Sequence, residues 1–248
     1  MQQYTIFDND FLPKEYVSNL CKEYEGTVYY DRLIEGKWKR AEGAIYRMFA
    51  DDPERFIKPI KKSDIKEIRI GIDFGGNGSG HSFVATAITK NGNMHPVISR
   101  KHMKKDFPQG IDANKLSELF LRFVADVVAK YGEPKVAYWD NAETVLGQSI
   151  KNACRYRFGF LHVIPAAKKK INDRINYTVR LMGAGRFFIT PDCQTLKRAL
   201  QDAVYNSKTL QEERLDDGST DIDTLDAFEY TIERDINGIY YNPVKGGI

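Results

Sequence analysis

The stretch Ile68-Arg69-Ile70-Gly71-Ile72-Asp73-Phe74-Gly75-Gly76 decides how the whole chain is interpreted. Its isoleucines predict a buried strand, and the two glycines that follow it predict a turn. The strand therefore carries Asp73 to its carboxyl end. Taken alone, such an aspartate is compatible with a turn former, with part of a phosphate-binding loop, or with a metal ligand.

The phosphate-loop interpretation is the weakest of the three. Residues 75–82 read Gly-Gly-Asn-Gly-Ser-Gly-His-Ser, which lacks the lysine that contacts the β- and γ-phosphates in GxxxxGK[ST] loops. A strand is predicted after the loop, so the helix N-terminus that such loops use to bind phosphate is missing as well. Nucleotide binding at this position is therefore disfavoured.

Composition limits the classes of protein to consider. The 248 residues are 42% apolar and 12% aromatic, which supports a sizeable core and argues against disorder. There is no apolar run of about 18 residues and no signal-peptide pattern, so we expect a cytosolic protein that is neither secreted nor in a membrane. The net charge of +3 does not by itself indicate nucleic acid. Three widely spaced cysteines argue against a zinc site.

Residues 1–62 differ from the rest of the chain. A helix is predicted from Leu12 to Gly26, and residues 27–30 are strand-like, but the segment has too few apolar residues for a core of its own. We expect an arm or linker over residues 1–62 and one domain over residues 63–248.

The domain begins with an antiparallel meander. Three strands with short links are predicted over residues 67–103, with a hairpin turn at Asn91-Gly92-Asn93. The later predicted elements are helix 114–131, strand 135–140, helix 143–156, strand 161–165, helix 171–182, strand 186–190, helix 196–204 and helix 223–234. Three antiparallel strands extended by parallel strands and flanked by helices predict a ribonuclease H-like α/β fold.

Acidic residues occur where this fold brings elements together. Asp73 and Asp140 end the first and fourth strands, which are expected to be parallel neighbours. The last helix offers Asp221, Asp223 and Asp226, and the last two lie three residues apart on one face. Hydrolysis of a phosphodiester by two divalent cations requires carboxylates that converge from different elements. The pattern therefore predicts a metal-dependent nuclease.

Each acid also has a purely structural interpretation. Asp73 is a plausible turn former, Asp140 a plausible helix cap, and Asp223 a plausible N-cap. What favours the metal site is that all three fall at matching places of one fold.

Basic residues cluster in the segment after the fifth strand. The residues concerned are Lys168, Lys169, Lys170, Arg174 and Arg180. A solvated helix face is the ordinary interpretation, but beside a nuclease centre these residues are predicted to contact the DNA backbone.

Three motifs together resemble the C-terminal nuclease part of tailed-bacteriophage terminase large subunits, which cut and package concatemeric DNA. They are Gly71-Ile72-Asp73-Phe74-Gly75, Tyr138-Trp139-Asp140-Asn141-Ala142-Glu143, and Asp223-Thr224-Leu225-Asp226-Ala227-Phe228-Glu229-Tyr230. The segment from Gly26 to Tyr46 resembles the junction that follows the packaging ATPase in these proteins.

The resemblance implies a specific site and specific partners. Asp73 would bridge two Mg²⁺ or Mn²⁺ ions, Asp140 and Asp223 would each hold one, Asp226 would be auxiliary, and Glu143 would orient the ligands. It further implies double-stranded DNA as substrate, a portal protein, a small terminase subunit and an ATPase domain as partners, and the cytoplasm of an infected bacterial host. The chain lacks Walker motifs, so we expect the ATPase upstream in a longer protein or on another polypeptide.

Two other classes of function stay open at this point. An actin- or sugar-kinase-like ATPase shares the core fold and the "GIDFGG" motif, but it needs a second lobe that 248 residues do not accommodate. A non-catalytic DNA-binding or docking module of the packaging motor would bind DNA without regard to divalent metal.

Overall fold

A computed structural model describes residues 4–25, 30–37, 43–76, 80–207 and 213–236. Its centre is a mixed five-stranded sheet with the order β3-β2-β1-β4-β5. The strands are β1 (Ile65–Asp73), β2 (Gly80–Thr89), β3 (Met94–Met103), β4 (Val136–Trp139) and β5 (His162–Pro165). β1, β2 and β3 pair antiparallel, and β4 and β5 extend the sheet in parallel. The predicted ribonuclease H-like arrangement is therefore confirmed.

Helices cover both faces of this sheet. They are α1 (Lys14–Tyr24), α2 (Arg47–Asp51), α3 (Ala113–Lys130), α4 (Thr144–Arg157), α5 (Ile171–Gly183), α6 (Gln194–Asp202) and α7 (Ile222–Ile232). None of the helices in the described ranges is both long and apolar enough to cross a bilayer.

One face of the sheet packs on α3 and α4. The alternation of β1 turns Ile68, Ile70 and Ile72 towards this side, where they join Phe120 and Val124 of α3 in one buried cluster. All five side chains are at most 2% exposed. This face is a conventional apolar core, and it holds the central strand in place.

The other face of β1 packs on α7 at unusually short range. A Cβ atom on Gly71 would lie 1.7 Å from the carbonyl oxygen of Ala227, so no residue other than glycine fits there without moving the helix. The Thr231 hydroxyl donates to the Thr86 hydroxyl at 2.8 Å and ties α7 to β2 as well. α7 therefore lies directly on the central strands.

A second core lies beneath α5, α6 and α7, and it includes part of the segment predicted as an arm. Tyr46, Phe49 and Phe56 are at most 2% exposed and pack in this cluster. The backbone N–H of Ile45 donates to the carbonyl of Ala203 at 2.8 Å. The division at residue 62 stays a prediction, but residues 45–56 share their core with the domain.

Two predicted strands differ from the structure. Residues 186–190 form isolated bridges, Phe187 with Met94 and Ile189 with Ile57, instead of a regular strand. Tyr30 begins a short π-helical turn, Tyr30–Ile34, and the remainder of the strand predicted at 27–30 lies outside the described residues.

Candidate active site

One edge of the sheet collects the predicted acids. β1 and β4 are parallel, and Ile72 pairs with Trp139. The residues that follow them, Asp73 and Asp140, therefore lie at the same edge of the sheet. The Asp140 N–H donates to the Ile72 carbonyl at 3.2 Å. The structure therefore brings Asp73 and Asp140 side by side, as the strand order predicts.

Asp73 is a buried carboxylate with little compensation. It is 7% exposed, and the hydroxyl of Tyr230 donates to its Oδ1 at 3.2 Å. Burial, together with the nearby charges of Asp226, Asp223 and Asp140, raises the pKa of Asp73 to about 8. Four carboxylates from three elements therefore lie within electrostatic reach of one another. We call these four residues the Asp73 cluster.

Asp140 forms a turn and an ion pair. Its Oδ1 accepts from the Ala142 N–H at 2.8 Å and contacts the ammonium of Lys168. Because α4 begins only at Thr144, Asp140 shapes the loop before the helix and is not the helix cap that its structural interpretation predicts.

Asp223 is held between the start of β2 and a lysine. It is 7% exposed, its Oδ2 accepts from the Gly80 N–H at 3.2 Å, and the Lys101 ammonium lies 2.8 Å from the same oxygen. The N-cap of α7 is Asp221, which accepts from the Thr224 N–H at 3.1 Å. The alternative of Asp223 as N-cap is therefore wrong, because the helix begins at Ile222 and already contains Asp223.

Asp226 connects the Asp73 cluster to a second, ion-paired group. Arg174 and Arg214 lie 3.2 Å and 2.6 Å from Asp226 Oδ1, and they contact Glu229 at 3.1 Å and 3.0 Å. The Tyr46 hydroxyl donates to Glu229 at 2.9 Å. We call Glu229, Arg174, Arg214 and Tyr46 the Glu229 cluster. Asp226 is thus ion-paired with two guanidinium groups, whereas Asp223 is ion-paired with one lysine.

The three acids assigned as ligands share one property. In Asp73, Asp140 and Asp223, a single carboxylate oxygen makes every hydrogen bond and ion pair that the described residues supply. The second oxygen of each acid accepts no hydrogen bond in that part of the chain. Each carboxylate is therefore oriented through one oxygen, with the other available to a ligand.

Glu143 lies near the site, because its charge and that of Asp223 both act on His81. It is exposed at the position before α4, and its side chain makes no hydrogen bond or ion pair among the described residues. Burial lowers the pKa of the nearby His81, and the charges of Asp223 and Glu143 oppose that effect. The predicted role of Glu143 in orienting ligands stays a prediction.

The predicted basic group separates into two environments. Lys168–Lys170 lie in the loop after β5, at the edge that carries the acids. Arg174 and Arg180 are 4% and 7% exposed, and they are ion-paired with Asp226 and with Glu23 of α1. A buried, paired guanidinium is not available to a phosphate, so in this structure the two arginines act in packing instead of at a DNA surface.

Several residues of the site were not predicted from sequence. Lys101 reaches the acids because its strand runs beside β2, and Tyr230, Arg214 and Glu229 reach them through the packing of α7. The only available signal was helical spacing, since Asp223, Asp226 and Tyr230 recur at three- and four-residue steps.

The donor chemistry fits a hard divalent cation. The candidate ligands are all carboxylate oxygens, which Mg²⁺ and Mn²⁺ accept, and they lie on different elements that converge at one edge. No three acidic, histidine or cysteine side chains in the described ranges already enclose a common point. The Asp73 cluster therefore has the residue types of a metal site. Two of its acids, Asp140 and Asp223, contact lysines.

Comparison with known proteins gives a fold. No family model and no curated protein matches the sequence. A large terminase from a thermophilic bacteriophage superposes with a TM-score of 0.76 at 21% identity, over 97% of this chain and 55% of the other. The nuclease domain of the P22 large terminase superposes with a TM-score of 0.58 at 15% identity, over 78% of this chain and 94% of that domain.

A third structure was solved with a metal ion. The large terminase nuclease of the thermophilic phage G20c with bound magnesium superposes with a TM-score of 0.50 at 16% identity, over 79% and 99% of the two chains. This chain spans about half the length of the first of the three proteins. At these identities the comparisons establish architecture, and the chain has the ribonuclease H-like fold of large-terminase nuclease domains, as its motifs predict.

Proposed function

We propose that the chain is a metal-dependent endonuclease that cuts double-stranded, concatemeric viral DNA during genome packaging. The observation that supports this most strongly is the environment of Asp73. It is a buried carboxylate at the end of the central strand, and three neighbouring carboxylates help raise its pKa to about 8. A folded protein retains such repulsion where a cation or a reaction requires it.

Asp73, Asp140 and Asp223 would hold two Mg²⁺ or Mn²⁺ ions, with Asp226 auxiliary because two arginines already occupy it. When bound, these ions supply Lewis-acid activation of water and neutralise the charge that develops on the phosphate. Asp73 lies beside Asp140 and within electrostatic reach of Asp223, so it would be the ligand common to both ions.

The protein's own contribution is to fix the direction of each ligand. Each acid accepts a hydrogen bond that orients it, from the Tyr230 hydroxyl on Asp73 and from a backbone N–H on Asp140 and on Asp223. Backbone donors do not change rotamer, so they hold a carboxylate in place as a ligand set requires.

Lysines flank the acids on both sides of the edge and would contact the DNA backbone. Lys168–Lys170 follow β5, and Lys104 and Lys105 follow β3, whose carboxyl end lies at the same edge. Lys104 and Lys105 line an open cleft of about 530 Å³. Phosphate contacts of this kind give affinity without base specificity.

The fold comparison supports a role in a wider assembly, which is part of the proposal. The protein that superposes over 97% of this chain is a large terminase, the type of protein that the motifs also resemble. We infer that the chain acts with an ATPase domain, a portal protein and a small terminase subunit in the cytoplasm of the infected host.

Plasmid cleavage in Mn²⁺ tests the assignment. We expect the intact chain to convert supercoiled plasmid to nicked and linear forms, and Asp73→Asn and Asp140→Asn to cut at least about a hundredfold more slowly. Asp126→Asn is the matched control, because Asp126 is an exposed acid on α3, away from the site. Undiminished cutting by Asp73→Asn, with cooperative unfolding preserved, would refute the proposal. ATP binding by calorimetry would instead support the kinase-like alternative.

A further inference from the structure

The backbone of Lys168 adopts a conformation that lysine rarely takes. Its φ is +51°, and it is the one non-glycine residue with positive φ in the described ranges. Left-handed backbone disfavours a residue that carries a Cβ atom, so something in the surrounding structure must stabilise this conformation.

The stabilising group is the carboxylate of Glu233, which directly follows α7. Glu233 is 0% exposed, and it accepts from three consecutive backbone N–H groups: Ala167 at 2.6 Å, Lys168 at 3.1 Å and Lys169 at 2.9 Å. Successive N–H groups that converge on one anion form a backbone nest. A buried charge therefore fixes the shape of the loop after β5.

This loop shape places the Lys168 ammonium on the Asp73 cluster. The ammonium contacts Asp140 Oδ1, although the lysine side chain is still 38% exposed. A lysine on an ordinary surface loop loses side-chain entropy for a pair of this kind and gains little. Here the backbone conformation is constrained by Glu233 at one end, and the ammonium lies on a candidate metal ligand at the other.

We propose that Lys168 competes with a divalent cation for Asp140 and thereby sets the metal affinity of the site. This inference rests on the proposed function. A cation that binds the other oxygen of Asp140 repels the ammonium on Oδ1, and a DNA phosphate at the same edge then becomes the partner of Lys168. DNA and metal therefore bind cooperatively, so that the metal site fills most readily when substrate is present.

Lys101 differs in a way that makes Lys168 the controlling group. The Lys101 ammonium lies 2.6 Å from Asp221 and 2.8 Å from Asp223. When a cation takes Asp223, Lys101 keeps its contact with Asp221. Lys168 has a single acidic partner in the described residues, so its displacement from Asp140 leaves it free for phosphate.

The experiment is Mn²⁺ binding by calorimetry on the intact chain without DNA, for wild type, Lys168→Met and Lys197→Met. Lys197 is the matched control, because its ammonium pairs with Glu54 at 2.7 Å on a distant surface. Removal of a competing charge is expected to tighten Mn²⁺ binding about fivefold in Lys168→Met and to leave Lys197→Met unchanged. A short duplex should tighten binding in wild type more than in Lys168→Met.

A second variant separates charge from backbone strain. Lys168→Gly also removes the ammonium, but glycine accepts positive φ, so it should match Lys168→Met in Mn²⁺ affinity and exceed it in melting temperature. Tighter binding in the glycine variant alone would show that strain sets the affinity, and would overturn the inference.

The outcomes distinguish the two proposals. Saturable Mn²⁺ binding with equal affinity in wild type and Lys168→Met would refute the competition and leave the nuclease proposal standing. Binding absent from wild type and from every variant would refute both. Binding absent from wild type but present in Lys168→Met would support the competition in its strongest form.

Discussion

Two buried carboxylates on neighbouring elements have opposite surroundings. Glu229, on α7, is 0% exposed and is contacted by two guanidinium groups and the Tyr46 hydroxyl. Asp73, on β1, is 7% exposed and accepts one hydrogen bond, from the Tyr230 hydroxyl. The charged groups that shift its pKa are acids. Burial is similar in the two cases, but compensation is not.

The difference indicates what each group contributes. A buried acid surrounded by arginines joins elements, and the Glu229 cluster links α7 to α5, to the segment around Arg214 and to the segment before α2. A buried acid surrounded by acids costs stability, which implies a role other than folding. Burial raises the pKa of both carboxyls, so the sign of the neighbouring charges, acidic around Asp73 and basic around Glu229, separates the candidate active site from the structural ion pairs.

The largest effect is expected from Glu229→Gln. The amide keeps the shape of the side chain but leaves two buried guanidinium groups without its charge, so the free energy of unfolding should fall by about 3–5 kcal/mol. Urea denaturation measures this loss. Glu118→Gln is the control, because Glu118 also pairs with two basic side chains but at the exposed surface of α3, and it should leave stability nearly unchanged. Equal effects of the two variants would mean that the buried ion pairs of the Glu229 cluster contribute no more to stability than exposed pairs do.

The opposite sign is expected from Asp73→Asn. The pKa of Asp73 rises on folding from its ordinary value of 3.8 to about 8, so the folded state binds a proton more tightly. The stability that this proton contributes is complete below pH 3.8 and is lost as pH rises towards 8. Asparagine does not titrate, so in EDTA the variant should be more stable than wild type at pH 8 by about 1–3 kcal/mol.

Urea denaturation in EDTA at pH 5 and pH 8 measures this prediction. The advantage of Asp73→Asn should grow between the two pH values, and saturating Mn²⁺ should reverse it, because the ion stabilises only the native wild type. An advantage that is independent of pH would mean that Asp73 is compensated by a group other than those described.

The smallest effects come from a matched pair of hydroxyl deletions. Tyr46→Phe removes the donor to Glu229 and should cost about 1 kcal/mol of stability without a change in cleavage. Tyr230→Phe removes the donor to Asp73 and should slow cleavage about tenfold. Melting curves and plasmid cleavage are measured on both variants. The comparison fails if Tyr46→Phe slows cleavage as much as Tyr230→Phe does.

Much of the fold was predictable because the signals are local. Alternating isoleucines predict β1, the Asn91-Gly92-Asn93 turn predicts the hairpin, and the period of α3 predicts an amphipathic helix. Residues 186–190 were harder, because their partners at Met94 and Ile57 are distant in sequence and form single bridges.

The site was predictable only as far as strand order determines it. Asp73 and Asp140 follow from two parallel strands that end at one edge, so their proximity needs no side-chain detail. The roles of the basic residues depend on long-range partners. Arg180 pairs with Glu23, 157 positions away, and a run of positive charge in the sequence does not show that such a partner exists.

The missing side chain of Gly71 determines the length of the acids that the site uses. Because nothing separates the β1 backbone from the Ala227 carbonyl, the sheet and α7 form an unusually thin double layer at this point. Aspartates, with one methylene each, then suffice to approach one another from the two layers. The close approach of the two layers at Gly71 thus shortens the distance that the Asp73 and Asp223 side chains must span.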